Sequence, residues 1–96
     1  MPLTRFEWNP GKDLENQRKH GVSFVQPQYA FADSSRVVAE DLGHSAKERR
    51  YYCFGRAGKG VMTVRFTWRD GVIRIIGAGY WRKGKSIHER ENKVHE

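Results

Sequence analysis

Residues 61–80, VMTVRFTWRDGVIRIIGAGY, determine the centre of the sheet because they place two strand-like runs around an Asp70-Gly71 turn. Both runs are rich in β-branched and aromatic residues, which favour strands. Asp-Gly is a preferred pair for a two-residue type I′ loop, in which both residues take positive φ. The sequence therefore predicts an antiparallel hairpin that pairs Val61–Arg69 with Val72–Tyr80.

The two-residue loop also fixes which side chains share a face, because alternate residues of a strand point to opposite sides of the sheet. It sets Phe66 opposite Ile75 and Arg65 opposite Ile76. The predicted core face carries Met62, Val64, Phe66, Trp68, Ile73, Ile75, Gly77 and Gly79. The opposite face, called the arginine face below, carries Thr63, Arg65, Thr67, Arg69 and Arg74, with Tyr80 at its far end.

Three arginines on one face of two paired strands repel one another unless a negative charge compensates them. One interpretation is that they pair with carboxylates of neighbouring segments, namely Glu40, Asp41 or Glu48. The other is a phosphate-binding surface, since guanidinium groups offer planar, bidentate donors. Neighbouring rings and cations favour single-stranded RNA, because bases stack on rings while cations hold the backbone. Those neighbours are Tyr80, Trp81, Arg82, Lys83 and Lys85.

The segments around the hairpin predict an α+β fold. Residues 3–8 alternate as a short strand, and a helix capped by Asn9 follows, ends at His20 and packs through Leu14. A second short helix begins at Ser23. The remaining predicted elements are strands at 36–40 and 50–56 and a charged helix within 82–96, whose histidines, His88 and His95, are expected in solvent. The predicted architecture is an N-terminal strand and two short helices on an antiparallel sheet, with a C-terminal helix.

Composition and charge limit the class of protein. A chain of 96 residues is expected to form one domain, residues 1–96, because two domains would each lack a sufficient core. The hydrophobic fraction of 38% and mean hydropathy of −0.81 exclude a membrane protein, and a cytoplasmic location without a signal peptide is expected. Residues 1–48 carry six Lys and Arg against seven Asp and Glu, whereas residues 49–96 carry twelve against four. This basic second half favours a polyanionic partner.

Several separated segments together resemble one known family. They are Phe6–Pro10, Lys19–Phe24, Phe31–Asp33, Thr67–Arg69 and Arg74–Ala78, with Asn16, Asp41, His44, Glu48 and Arg49 between them. Nearly the whole chain resembles the BrnT family, the toxin half of a bacterial type II toxin–antitoxin pair. The resemblance implies a compact RelE-like fold and a metal-independent endoribonuclease that arrests translation without a cofactor.

The same resemblance implies the partners. A ribbon-helix-helix antitoxin would bind the toxin, and the complex would reach operator DNA only through the antitoxin. Two toxins and two antitoxins are expected, since ribbon-helix-helix proteins dimerise. The family commonly has an arginine where this chain has Gly79, so either Tyr80 or Arg82 takes over that role or the activity is reduced.

RNA cleavage without a metal needs a base for the 2′-hydroxyl, cations for the phosphorane and an acid for the leaving oxygen. Scattered histidines and a single cysteine give no metal-ligand spacing, so no metal site is expected. His20 is interpreted as an acid or a helix cap, Glu48 as a base or an ion-pair partner, and Tyr80 as a proton relay or a stacking ring. The predicted catalytic residues are Arg69, Arg74, Tyr80, Arg82, His20 and Glu48, and the predicted RNA-binding residues are Arg65, Lys83, Lys85, Trp81 and Lys19.

A second function from a different class also fits these residues. A basic domain without catalytic activity would bind nucleic acid, or only a partner protein, through the same surface. Induced expression separates the two hypotheses, because only the ribonuclease fragments mRNA.

Overall fold

The computed structural model describes residues 4–93, so Leu3, Val94 and His95, which the sequence analysis used, lie outside the described residues. Its elements are β1 (Arg5–Glu7), α1 (Pro10–His20), α2 (Pro27–Ala32), β2 (Val37–Glu40), a 3₁₀ turn (Leu42–His44), β3 (Tyr51–Ala57), β4 (Gly60–Arg69), β5 (Val72–Gly79) and α3 (Arg82–Lys93). The α+β class is confirmed. None of the helices within residues 4–93 is long and apolar enough to cross a bilayer.

The strands form one sheet in the order β1-β5-β4-β3-β2. Strands β2 to β5 are antiparallel, as predicted. Strand β1 instead lies parallel to β5, with Phe6 opposite Ile73. The sheet is therefore mixed, because the N-terminal strand joins the edge of the predicted antiparallel sheet in the parallel direction. Parallel pairing is possible because α1 and the elements after it separate β1 from β5 in the chain.

The Asp70-Gly71 turn forms the predicted hairpin, with φ of 51° at Asp70 and 78° at Gly71. The predicted register holds from the Arg69–Val72 pair to the Phe66–Ile75 pair. Beyond it a β-bulge inserts Ile76, so Arg65 lies opposite Gly77 rather than Ile76. Because a shift of one residue reverses the two faces, the residues of β5 after the bulge were assigned to the wrong sides.

The bulge changes the core at the end of β5. Ala78, opposite Val64, is only 1% exposed and joins the core, whereas Gly77 and Gly79 lie opposite Arg65 and Thr63 on the arginine face. The prediction that both glycines belong to the core face is wrong.

Helix α2 packs on the core face of the sheet. Phe66 is the centre of this layer and contacts the ring of Phe31 with centroids 4.9 Å apart. Gly55 of β3 lies directly under α2, where a β-carbon would stand 2.2 Å from the Ala30 carbonyl oxygen. The side chain of Gln26 accepts a hydrogen bond from the Ser23 N–H at 2.9 Å, as a capping box requires, but the helix itself begins at Pro27.

Helix α1 is attached to the sheet by a polar side chain rather than by its one leucine. Leu14 is 61% exposed, so the prediction that it packs the helix is wrong. The buried Asn16 amide donates to the carbonyl oxygens of Val22 and Ala78, each at 2.9 Å, and accepts from the Ala78 N–H at 3.3 Å. The two bonds with Ala78 fix α1 against β5, and the bond to Val22 holds the loop that follows its C-terminus.

Helix α3 packs on the arginine face of β3 and β4. Gly84 lies against Thr63 and Phe54, so closely that a β-carbon at residue 84 would overlap both side chains. One turn later, His88 is 3% exposed and its Nε2 lies 2.9 Å from Oδ2 of Asp33. The prediction that His88 lies in solvent is wrong, because its partner is 55 residues away in the chain and gives no local signal.

Candidate active site

A cleft of about 1110 Å³ lies on the arginine face and is lined by α1, α3 and strands β2 to β5. It brings together five of the predicted site residues, from α1, β4, α3 and the residue before α3. Lys19 and His20 end α1, Arg65 comes from the middle of β4, Trp81 precedes α3, and Lys83 belongs to its first turn. The lining also includes Glu15 and Glu91, so the rim carries both signs of charge.

Each arginine of the arginine face has a carboxylate partner. Arg65 lies 3.6 Å from Asp41, and Arg74 lies 3.6 Å from Glu7. Arg69 donates two hydrogen bonds to Glu48, at 3.2 and 3.3 Å. In the described part of the chain, the interpretation of these arginines as ion-pair partners therefore holds, and Glu7 is a partner that the sequence analysis did not consider.

The Arg69 pair changes the chemistry of Glu48. The hydrogen bond and the positive charge of Arg69 hold the pKa of the Glu48 carboxyl below its ordinary value. Glu48 is consequently an ionised acceptor at neutral pH, with both oxygens directed at Arg69. This favours the ion-pair interpretation of Glu48 over the role of a general base.

His20 and Trp81 form one contact at the wall of the cleft. Their ring centroids are 5.0 Å apart with an interplanar angle of 72°, an edge-to-face arrangement. Trp81 remains 44% exposed. The cleft therefore presents an imidazole beside an accessible indole, with the ammonium groups of Lys19 and Lys83 also in its lining.

Tyr80 does not lie on the arginine face. After the bulge its side chain packs against the core, and its hydroxyl donates to the Ala57 carbonyl oxygen at 2.6 Å. The ammonium group of Lys59 lies 5.0 Å from the centre of its ring. The predicted position of Tyr80 is therefore wrong, since the extra residue in β5 turns it to the opposite side.

The remaining predicted residues lie at the two ends of β5. Arg69, Arg74 and Glu48 gather near the Asp70-Gly71 turn, whereas Arg82 and Lys85 are exposed on α3 at the other end. The eight residues of β5 separate Arg69 from Arg82 by roughly 25 Å at about 3.4 Å per residue. Arg69 and Arg82 therefore do not reach one phosphate together.

The aromatic floor of the cleft was not among the predicted site residues. Tyr52 and Phe54 of β3 line it with their rings nearly parallel, at a centroid distance of 5.7 Å and an interplanar angle of 18°. The signal was present in the alternation of β3, because Cys53, between them, is fully buried in the core. Once Cys53 is assigned to the core, its two neighbours must face the cleft.

A search of curated proteins finds no match. A family model described as "Ribonuclease toxin, BrnT, of type II toxin-antitoxin system" matches residues 8–84, which span α1, the sheet from β2 to β5 and the first turn of α3. The match therefore includes α1 and the strands that line the cleft, whereas the later α3 residues of the lining, Ile87, Arg90 and Glu91, lie beyond it. The chain belongs to the BrnT family of ribonuclease toxins of type II toxin–antitoxin systems.

Proposed function

We propose that this chain binds single-stranded RNA in the cleft and cleaves it as a metal-independent endoribonuclease that arrests translation in the cytoplasm. Residues 1–96 act as one toxin domain. The observation that carries the proposal is the gathering of cations, an imidazole and an exposed indole in one cleft, from Lys19, His20, Arg65, Trp81 and Lys83.

Each of these side chains has a task that RNA cleavage requires. Lys19 and Lys83 hold phosphates of the backbone, and Trp81 stacks on a base. Arg65 stabilises the negative charge that develops on the phosphorane, a task that a metal ion performs in other nucleases. His20 donates the proton to the leaving 5′-oxygen.

The residues near the Asp70-Gly71 turn extend the binding surface for RNA. Arg69 and Arg74 are candidates for phosphate contacts whose carboxylate partners an RNA phosphate would replace. Because the Glu48 side chain is half-buried at the surface, 33% exposed, this exchange needs no rearrangement of the core. Three further residues are still proposed as site residues although they do not line the cleft, namely Tyr80, Arg82 and Lys85.

The 2′-hydroxyl attacks the phosphorus, and cleavage leaves a 2′,3′-cyclic phosphate and a 5′-hydroxyl. Purified protein incubated with a single-stranded RNA should therefore yield those ends and should remain active in EDTA. A substrate with 2′-deoxyribose at the cleaved position should resist. Loss of activity in EDTA would contradict metal independence, and 5′-phosphate products would contradict attack by the 2′-hydroxyl.

Membership of a type II system implies an antitoxin protein, and we propose that it has the ribbon-helix-helix fold. Two toxins and two antitoxins form the complex, which binds operator DNA through the antitoxin alone. Mass measurement of the co-purified complex by light scattering tests the 2:2 stoichiometry. A 1:1 complex that also binds operator DNA through the toxin would contradict this arrangement.

A basic domain without catalytic activity is the second candidate. It is favoured by the carboxylate partners of Arg65, Arg69 and Arg74, which already compensate the charges available for catalysis. Folded protein that binds RNA but leaves it intact at high enzyme concentration would support this candidate and contradict the first.

A further inference from the structure

Asp41 and His44 form a carboxylate–imidazole pair at the end of β2 that the proposed function does not use. Nδ1 of His44 lies 3.0 Å from Oδ2 and 3.2 Å from Oδ1 of Asp41. The side chain of Asp41 is 7% exposed, whereas that of His44 is 59% exposed. A buried carboxylate thus holds one edge of an imidazole whose other edge faces solvent.

The carboxylate determines which nitrogen of His44 carries the proton. Burial raises the pKa of Asp41, but the hydrogen bond and charge of His44 and the charge of Arg65 outweigh it, so the pKa lies below its ordinary value. An ionised carboxylate only accepts hydrogen bonds, so Nδ1 is the donor. In the neutral imidazole, Nε2 then has a free lone pair and is available as a base.

The pair lies beside the cleft rather than at a remote surface. Asp41 follows Glu40 of β2, and its carboxylate is 3.6 Å from Nη2 of Arg65. Arg65 itself lies opposite Tyr52, and the Tyr52 hydroxyl also lowers the pKa of the Asp41 carboxyl. The charged and titratable groups that face the pair from the packed strands are therefore Arg65 of β4 and Tyr52 of β3.

The guanidinium group of Arg65 is held in place, but not all of its hydrogen-bond donors have a partner among the residues that the structure describes. Its Nε is buried and makes no hydrogen bond to any of the residues that the structure describes. Its side chain is 34% exposed, so part of the guanidinium reaches solvent from the cleft. A phosphate bound to Arg65 would therefore lie close to the carboxylate that orients His44.

We propose that His44 is a catalytic residue of the RNA cleavage reaction, acting as general base on the 2′-hydroxyl, and that Asp41 is its positioning residue. The inference rests on the proposed function. Nε2 of His44 takes the proton of the 2′-hydroxyl while O2′ forms a bond to phosphorus. The bond between phosphorus and O5′ breaks, and the leaving oxygen takes its proton from His20.

The first experiment measures cleavage by His44→Ala and Asp41→Asn proteins under single-turnover conditions. The loss of a general base predicts a rate about 10²- to 10⁴-fold lower for His44→Ala, with RNA affinity unchanged. Asp41→Asn keeps the shape but favours the tautomer in which Nε2 carries the proton, so a loss of up to about 10⁴-fold is expected. Leu42→Ala, 82% exposed in the same 3₁₀ turn, is the matched control and should cleave at the wild-type rate.

The second experiment separates a base from a structural role. The cleavage rate of the wild type should rise with pH along an acidic limb, and His44→Ala should lose that limb. Because the position of His44 is open to solvent, added imidazole should restore part of the activity of His44→Ala but not of Asp41→Asn.

The outcomes distinguish the two proposals. Wild-type cleavage together with an unchanged rate in folded His44→Ala overturns the role of His44 and leaves the proposed function intact. Retention of the acidic limb in His44→Ala overturns it as well. A wild-type protein that binds RNA without cleaving it overturns both proposals.

Discussion

Gly79 lies so close under Trp81 that a β-carbon at residue 79 would stand 2.5 Å from Cη2 of the indole. The indole in turn contacts the ring of His20 across the wall of the cleft. The absence of a side chain at residue 79 therefore permits the position of Trp81, and through it the edge-to-face contact with His20. An arginine side chain at residue 79 and the indole in its present position exclude each other.

Gly79→Ala is expected to displace Trp81. Overpacking of this kind lowers the free energy of unfolding by about 1–3 kcal/mol, measured by urea denaturation. In a Trp81→Ala background the same change should be nearly neutral, because the atoms that Cβ would strike are gone. The double-mutant cycle gives the coupling. An equal cost of Gly79→Ala in both backgrounds would show that the indole does not set the constraint.

Phe66→Ala is expected to destabilise the fold strongly. Phe66 is 1% exposed and contacts the rings of Phe31, Tyr51 and Trp68. Removing a buried phenyl ring leaves a cavity and costs about 3–5 kcal/mol in the free energy of unfolding. Tyr29→Ala is the matched control, because Tyr29 is 64% exposed and its removal should change stability little. A loss for Phe66→Ala no larger than that of the control would contradict this assignment of the core.

The hairpin could be predicted from the sequence because adjacent residues determine it. The bulge could not be predicted in this way. Asp70-Gly71 sets the turn and the register up to the Phe66–Ile75 pair. The next residues, Ile76 to Ala78, are all small or apolar. Their pattern therefore does not show where the strand changes the face that it turns to the core. The misplacement of Tyr80 and Gly79 follows from that single extra residue.

The sequence predicted which residues carry the charge and the rings of the site, but not which residues lie next to one another in it. The basic and aromatic residues of the second half were identified, yet their partners come from distant segments, as the pairs Glu7–Arg74 and Asp33–His88 show. Helix α1 illustrates the same limit, because the buried Asn16 bonds to Ala78, 62 residues away, while Leu14 stays exposed. Such contacts depend on the assembled fold rather than on the spacing of residues.

Asp33 should make stability depend on pH in the acid range. Burial raises its pKa, but hydrogen bonds from the backbone of Arg56 and Ser35 and from His88 outweigh burial, so the folded pKa lies below its ordinary value. Its contribution to stability is therefore present above the unfolded pKa, about 3.9, and is lost as pH falls through the folded pKa.

Asp33→Asn tests this dependence. At neutral pH the variant should lose about 1–3 kcal/mol of unfolding free energy, because buried donors lose a charged acceptor. Below about pH 4 its stability should fall less steeply than that of the wild type. Glu40→Gln, an exposed carboxyl on β2, is the control and should keep the wild-type pH profile. Parallel pH profiles for Asp33→Asn and the wild type would contradict the assignment.

Lys19 and Lys83 should contribute phosphate contacts to RNA binding, whereas Arg18 should not. Lys19 lines the cleft and Arg18, its neighbour in α1, is an exposed residue outside that lining. Each lost phosphate contact weakens binding and makes the slope of log affinity against log salt shallower by roughly one unit. Fluorescence anisotropy with a labelled single-stranded RNA, at several salt concentrations, measures both quantities for the three alanine variants. Lys19 is also 2.6 Å from Glu15, so Glu15→Gln should strengthen binding by freeing the ammonium group. Equal slopes for Lys19→Ala, Arg18→Ala and the wild type would place the RNA backbone outside this cleft.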